Sequence, residues 1–377
     1  MPAASGAPLR VAVLGAGTVG HEVACAMLER PAELRPTGGR ALELAGVAVR
    51  DTARAIDRGL PAELLSDAPA HLVADESIDV IVELMGGDEP AHTLIAAALS
   101  MGKHVVTANK HVIAHHGDAL EAIARRTGAA LRFEAAVGGG IPVLGPLASD
   151  LAANRITRVR GIVNGTTNFI LTAMTDDDDP KDYATALAEA QELGYAEADP
   201  SGDVEGADAV NKLVILARLA FGRWLDPGEI PTRPDGRDGP AGPGITTVTL
   251  EDEGDARAAG RIIRLVATAS VDPDGAIAAA VLATALPIDS PLGRTAGVRN
   301  RIEIDAVPVG RVGFDGPGAG GAATSSAVLG DLMAVAGGAG STWGTRSPAL
   351  APTDAPVRRP AAEIFEASSG TRYQIDD

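Results

Sequence analysis

Cysteine is almost missing from this 377-residue chain, with Cys25 as its single example. No intramolecular disulfide can form, so the fold must rest on packing, and the composition suits a reducing cytoplasm. Cys25 lies in an apolar helical pattern, EVACAMLER, and reads as a small core residue. Aromatic residues make up only 3%, which leaves Ala, Val, Leu and Ile to build the core; 46% apolar residues suffice for a sizeable one. Positive charge is also short. Lys and Arg number 32 against 50 Asp and Glu, a formal net charge of -18. Such a chain repels nucleic acid phosphates and anionic membranes, and no basic run reverses that. No uninterrupted apolar run approaches the roughly 18 residues of a membrane span, and the start, MPAASGAPLR, lacks a signal peptide's apolar segment. These deficits together predict a soluble cytoplasmic protein.

Glycine, by contrast, is plentiful at 45 residues, many of them beside predicted strands. The length suggests two domains, or at most three. Leu9–Leu14 reads as a buried strand, followed by GAGTVG and a helix from His21 to about Arg30. Leu42–Val49, Ile78–Leu84, His104–Thr107 and Leu131–Ala136 read as further strands, with helices over Pro90–Met101 and about Gly117–Arg126. Strands alternating with helices of this length mean parallel βαβ units, an α/β fold with an N-terminal Rossmann-type doubly wound sheet. After Pro146 a helix around Leu147–Leu151, a strand at Ile156–Val163 and an NG turn at Asn164-Gly165 lead into helices as far as Gly222. Strands follow at Ile262–Ala269, Ala276–Leu286 and Arg301–Ala306, which predicts an α+β second domain. Pro231–Gly244 reads as a solvated insertion or a mobile lid. GPGAGG at 316–321 precedes a helix from Ala322 to about Val335, and the tail 337–377, rich in Gly, Ser, Pro and Thr, is expected to be weakly ordered.

Five segments carry chemistry. Gly15-Ala16-Gly17-Thr18-Val19-Gly20 fits GxGxxG between a strand and a helix, the setting in which glycines admit a pyrophosphate and a helix N-terminus favours its charge. The next strand ends VAVRDTAR. Arg50 there points to the extra phosphate of NADP, while Asp51 keeps NAD open. KHVVTANK places Thr107 and Lys110 at a strand's carboxyl end, where ligands bind in doubly wound sheets. FEAAVGGGIP places Glu134 in apolar surroundings beside a glycine cluster, which could serve as a monovalent cation site, a hinge, or both. Finally, LGYAEADPSGDVEGADAVNK sets Asp208 and Lys212 one helical turn apart, either a surface pair or a substrate anchor with a proton carrier. Two other features read as structural. DDDDP at 176–180 lacks the ligand spacing of a calcium loop, and His111 with His115 has no matching acidic third ligand for a metal.

In their order, VAVLGAGTVG, VTANK, FEAAVGGGIP, GIVNGTTNFIL, LGYAEADPSGDVEGADAVNK and GPGAGG resemble the homoserine dehydrogenase family over about residues 10–335. The resemblance implies NAD(P)-dependent interconversion of L-homoserine and L-aspartate 4-semialdehyde, on the route to threonine, methionine and isoleucine. It implies Lys212, Lys110 and Asp208 as catalytic residues, with Glu197, Asp208 and Lys110 on the substrate. Gly15, Gly17, Thr18, Val19, Gly20, Arg50, Thr107, Lys110, Gly194, Gly318 and Gly320 would meet the cofactor. Glu134 with the carbonyls of Val137, Gly139 and Ile141 would hold a sodium ion. The implied organisation is a dinucleotide-binding domain over 1–145 completed by a returning helix at 318–336, and a substrate-binding and dimerisation domain over 146–317, in a homodimer. No βαββαβ pattern follows the last helix, so no threonine-sensing ACT domain is expected. The alternatives are an oxidoreductase for another amino acid semialdehyde, against which NGTTNFIL and LGYAEADPS speak, and a non-catalytic dinucleotide sensor, against which Lys110, Asp208 and Lys212 speak.

Overall fold

The computed structural model describes residues 6–233, 243–349, 357–361 and 363–376. Most of the Pro231–Gly244 loop, read above as an insertion or lid, lies outside the described residues. The chain divides into two compact units, one running to Asp150 and including Ala319–Pro348, the other holding Leu151–Gly318 and the residues after Pro348.

The first unit is built on six parallel strands: β1 (Leu9–Leu14), β2 (Leu42–Ala48), β3 (Leu65–Ser66), β4 (Val80–Glu83), β5 (His104–Thr107) and β6 (Leu131–Arg132). Their order is β3-β2-β1-β4-β5-β6. Strands covered on both faces need continuous apolar runs. Val11, Val13, Val80 and Val82 are accordingly fully buried. Val23 and Met27 of the Thr18–Glu29 helix and Val328, Leu332 and Val335 of the Gly321–Ala336 helix close the same core over β1 and β2. With β2 on one side of β1 and β4 on the other, the strand order reverses at β1, and the crevice at the carboxyl ends there is where such sheets bind ligands.

Two elements of this unit differ from the sequence expectation. The helix expected from Gly117 begins at Lys110 and runs to Thr127. Its histidines and Gly117 weaken the helical signal, but Val112, Ile113 and Ala114 are buried and the Asn109 side chain caps Val112 N at 3.1 Å. The strand expected over Leu131–Ala136 stops at Arg132, because Glu134 N is drawn to Asp331 Oδ2 (2.8 Å) and Glu134–Ala136 turns as a 3-10 helix.

The second unit carries a seven-stranded mixed sheet: β7 (Arg155–Ile162), β8 (Arg261–Val271), β9 (Ile277–Pro287), β10 (Arg299–Val307), β11 (Gly310–Pro317), β12 (Ile364–Glu366) and β13 (Arg372–Ile375). Their order is β11-β10-β7-β8-β9-β13-β12, with β13 parallel to β9 and the other pairs antiparallel. The alanine-rich β9 is buried along nearly its whole length, on both of its faces. Asn164-Gly165, expected as a turn leading out of the strand, instead opens a helix. Asn164 caps the Gly165–Met174 helix through Oδ1, which accepts from Thr167 N at 2.8 Å.

The last described stretch of the tail, 363–376, departs from expectation. Residues 337–377 were expected to be weakly ordered, yet β12 and β13 lie within them. Tyr373 is buried and donates to Asp252 Oδ2 (2.9 Å), while Asp376 meets the buried Arg160 at 2.7 Å. Strands this short owe their order to tertiary partners, so their polar composition hides them.

Candidate active site

The glycine loop is fixed by steric need. Gly15 has φ +97, and a Cβ there would lie 2.8 Å from Leu84 O; a Cβ on Gly20 would lie 1.8 Å from Gly15 O. At Gly17, by contrast, a Cβ would meet nothing within 4 Å. Two glycines therefore serve the turn and its packing against the sheet, and the third leaves open space at the N-terminus of the Thr18–Glu29 helix, where no side chain caps the backbone. This division of roles fits a dinucleotide pyrophosphate. Arg58, which sequence reasoning missed, donates from Nη1 to Ala16 O inside the loop (2.9 Å). Arg50 is exposed. Asp51 caps the Thr52–Asp57 helix by accepting from Arg54 N (2.9 Å), which commits one of its oxygens to the backbone.

The VTANK segment is organised by Glu83, also missed from sequence. Its carboxylate is fully buried at the end of β4. Oε2 accepts from Thr107 Oγ1 (2.7 Å) and Oε1 from Met85 N (2.8 Å). Thr107 Oγ1 in turn accepts from Asn109 N (2.9 Å), and Asn109 Nδ2 donates to Gly87 O (2.8 Å). The Thr107 hydroxyl thus faces inward to Glu83 and shapes the turn, and any contact it makes with a cofactor falls to its backbone. The turn delivers Lys110, half-buried, as the first residue of its helix.

Asp208 and Lys212 are not a surface pair. The Ala207–Phe221 helix is buried from Asp208 through Ala220, and each of the two residues is 8% exposed. Lys212 Nζ donates to Asp208 Oδ2 (2.7 Å) and to Val163 O (2.6 Å) just past β7. Asn164 Nδ2 donates to the same Asp208 oxygen (2.8 Å) and to Asp203 Oδ1 (2.7 Å). Asp203 is thereby drawn into the cluster, while Asp199 serves its loop, accepting from Ser201 N (3.1 Å). Asn300 Nδ2 donates to Val163 O (2.9 Å). Neither asparagine was legible as a site residue, since their partners are remote in sequence. Glu197 is exposed, and among the described residues its carboxylate has no hydrogen bond or ion pair. Gly194 has φ +75 and open space around it. Gly318 is glycine for a local reason, because a Cβ would lie 2.1 Å from Asn300 Nδ2. Gly320 has φ +111 and precedes the Gly321–Ala336 helix.

Glu134 caps backbone. Oε1 accepts from Val143 N (2.7 Å) and Leu144 N (2.8 Å), and Oε2 accepts from Gly145 N (2.7 Å). Burial and then the Asp331 carboxylate push its pKa up against those three bonds. Among the described residues no group of three or more His, Cys, Asp or Glu is arranged to hold a metal ion, and His111 and His115 stack their rings at 4.2 Å instead.

Two family models match the chain: homoserine dehydrogenase, NAD binding domain, over residues 15–134, and homoserine dehydrogenase over 142–333. A homoserine dehydrogenase of Mycobacterium tuberculosis is 44% identical over 333 residues, covering 87% of this chain and 72% of its own. The crystal structure of a homoserine dehydrogenase from Thiobacillus denitrificans superposes with a TM-score of 0.82 at 37% identity, over 94% of this chain and 80% of that one. A hyperthermophilic archaeal homoserine dehydrogenase in complex with NADPH superposes with a TM-score of 0.71 at 30% identity, over 87% of this chain and 97% of that one. With both halves matched in order and the glycine loop shaped for a dinucleotide, the chain belongs to the homoserine dehydrogenase family of NAD(P)-dependent oxidoreductases.

Proposed function

We propose that the protein interconverts L-homoserine and L-aspartate 4-semialdehyde, and that Lys212 carries the hydroxyl proton. The observation behind this role is the buried Lys212 ammonium, fixed between Asp208 (2.7 Å) and Val163 O (2.6 Å). A bound nicotinamide dinucleotide supplies the hydride acceptor for oxidation and the hydride donor for reduction. Lys212 takes the hydroxyl proton as the carbonyl forms and returns it to the carbonyl oxygen in the reverse direction. Asp208 and Glu197 hold the ammonium and hydroxyl side of homoserine, and Lys110 assists at the substrate and the nicotinamide.

Gly15, Gly17, Thr18, Val19 and Gly20 hold the pyrophosphate, with Thr107, Gly194, Gly318 and Gly320 closing around the cofactor. NADP is the preferred form on this reading. Exposed Arg50 is available to a phosphate, while Asp51 is engaged as a helix cap. The archaeal relative in complex with NADPH supports the same preference. Glu134 and the carbonyls of Val137, Gly139 and Ile141 form an all-oxygen donor set that suits a hard monovalent cation. Three backbone N–H groups already bind Glu134, so of its roughly four lone-pair sites about one remains for sodium.

The proposed setting is a cytoplasmic homodimer in the route to threonine, methionine and isoleucine, with 146–317 as the substrate-binding and dimerisation domain. Among the described residues no helix is long and apolar enough to cross a membrane. Steady-state turnover of homoserine with NADP and NAD, in sodium and in potassium buffers, tests reaction, cofactor and ion together. Turnover of other hydroxy amino acids but not of homoserine would end this reading.

A further inference from the structure

We infer that Asn164 and Asn300 are positioning residues for Lys212, Asn164 donating to Asp208 and Asn300 to the Val163 carbonyl, both of which accept from its ammonium. The inference rests on Lys212 being the proton carrier. Lys212 Nζ donates to Asp208 Oδ2 and to Val163 O. Asn164 Nδ2 reaches the first at 2.8 Å, and Asn300 Nδ2 reaches the second at 2.9 Å. The surroundings fix which way each amide points. Asn300 faces a carbonyl oxygen, and Asn164 stands between the Asp203 and Asp208 carboxylates, so in both cases the NH2 end must face the acceptor. Asn164 Oδ1 is held from behind by Thr167 N (2.8 Å). Asn300 has no exposed surface and lies against Gly318, where any side chain would collide with it. Among the described residues nothing bonds Asn300 Oδ1. A buried amide with one end unsatisfied is unfavourable for the fold alone, and donation to Val163 O gives it a purpose.

Both amides compete with the ammonium for oxygen lone pairs. They hold the acceptors still, and they weaken the grip of those acceptors on the protonated lysine, so the proton leaves more readily. The Ala207–Phe221 helix itself also carries the buried Arg218, and the charges on the strands packed against it have partners of their own. Arg158 and Arg160 of β7 pair with Asp305, Glu303 and Asp376. Arg261 and Arg264 of β8 donate to backbone carbonyls, β9 has no charged residue, and Glu229 of the Pro227–Glu229 turn is exposed. Asn164 bridges the Asp203 and Asp208 carboxylates.

The test is the pH profile of kcat/KM in both directions for Asn164→Ser and Asn300→Ser. Serine keeps the helix cap at 164 but is too short to donate as the amide does. Homoserine oxidation needs neutral Lys212, so its rising limb should move to higher pH by roughly 0.5–1 unit, a loss of about 3- to 10-fold below that limb. Semialdehyde reduction uses the protonated lysine and should persist to higher pH. A purely structural role would lower both directions equally at every pH, and superimposable profiles would overturn the inference. Lys212→Ala separates the two failures. If it is inactive while both serine variants keep the wild-type profile, only the positioning role is wrong; if it turns over normally, the proton-carrier reading is wrong as well. Should Asn300→Ser fail to fold, Asn164→Ser alone decides.

Discussion

The glycine loop offers a prediction in which packing and cofactor binding separate. A methyl group at Gly20 would sit 1.8 Å from Gly15 O, whereas real Cβ contacts do not fall below 3.0 Å. In Gly20→Ala the loop must therefore yield by about 1 Å or more, and overpacking of this kind costs about 1–3 kcal/mol. Displacing the loop also displaces whatever it holds, and a misplacement of about 1 Å can cost on the order of 100-fold in rate. Gly17→Ala should behave differently. Its methyl group meets no protein atom within 4 Å, so the cost is confined to the backbone at the helix cap, whose φ of -66 and ψ of -149 favour glycine, at about 1 kcal/mol. The same methyl group fills the space through which a pyrophosphate approaches. Thermal melts without cofactor, paired with the KM for NADP at saturating homoserine, read the two effects. Gly20→Ala is expected to lower both the melting temperature and cofactor affinity; Gly17→Ala should raise the KM with little change in the melt. An unchanged KM in Gly17→Ala would refute the assignment of this loop to the dinucleotide.

Three further outcomes are expected. Glu253 is buried, and burial pushes its pKa from 4.5 to about 7 despite the neighbouring Arg264. The folded state thus keeps a proton that the unfolded chain releases near pH 4.5, and stability falls by about 1.4 kcal/mol per unit as pH rises from about 4.5 to about 7. Glu253→Gln mimics the protonated form, so its advantage in urea melts should grow to at most roughly 3 kcal/mol by pH 8; parallel losses in both proteins would contradict this. Thr107→Val removes the donor to Glu83 Oε2 and the acceptor for Asn109 N, both buried, and should cost about 1–3 kcal/mol together with activity, since Lys110 follows that turn. Asp376→Ala takes a 2.7 Å partner from the buried Arg160, leaving Glu303 at 3.1 Å, and should lower the melting temperature while KM values hold. A melt indistinguishable from wild type would show that the C-terminal strand does not brace this sheet.

How much was legible in the sequence depended on how local each signal was. The parallel strands of the first unit were legible because burial on both faces demands continuous apolar runs such as VAVL and VIV. Two-residue strands such as β3 leave no periodicity to read, and β11, GRVGFDGP, is mostly exposed along its length. Asp208 and Lys212 were visible because four residues separate them on one helix. Asn164 and Asn300 were not, since Asn164 meets Asp208 across 44 positions and Asn300 meets Val163 across 137. The dipeptide Asn164-Gly165 even carried a misleading signal, because the asparagine that favours a turn also caps a helix. Glu83 and Arg58 were likewise set in place by tertiary bonds, to Thr107 and to the Ala16 carbonyl.

The most direct test of the proposed chemistry is steady-state oxidation of L-homoserine with NADP by the wild-type protein and by Lys212→Ala, with cofactor binding measured in parallel. The wild type is expected to turn over. Lys212→Ala is expected to bind NADP normally while kcat falls by roughly 100- to 10,000-fold, the range for removing a general acid/base. Undiminished kcat in Lys212→Ala would contradict the proton-carrier role outright.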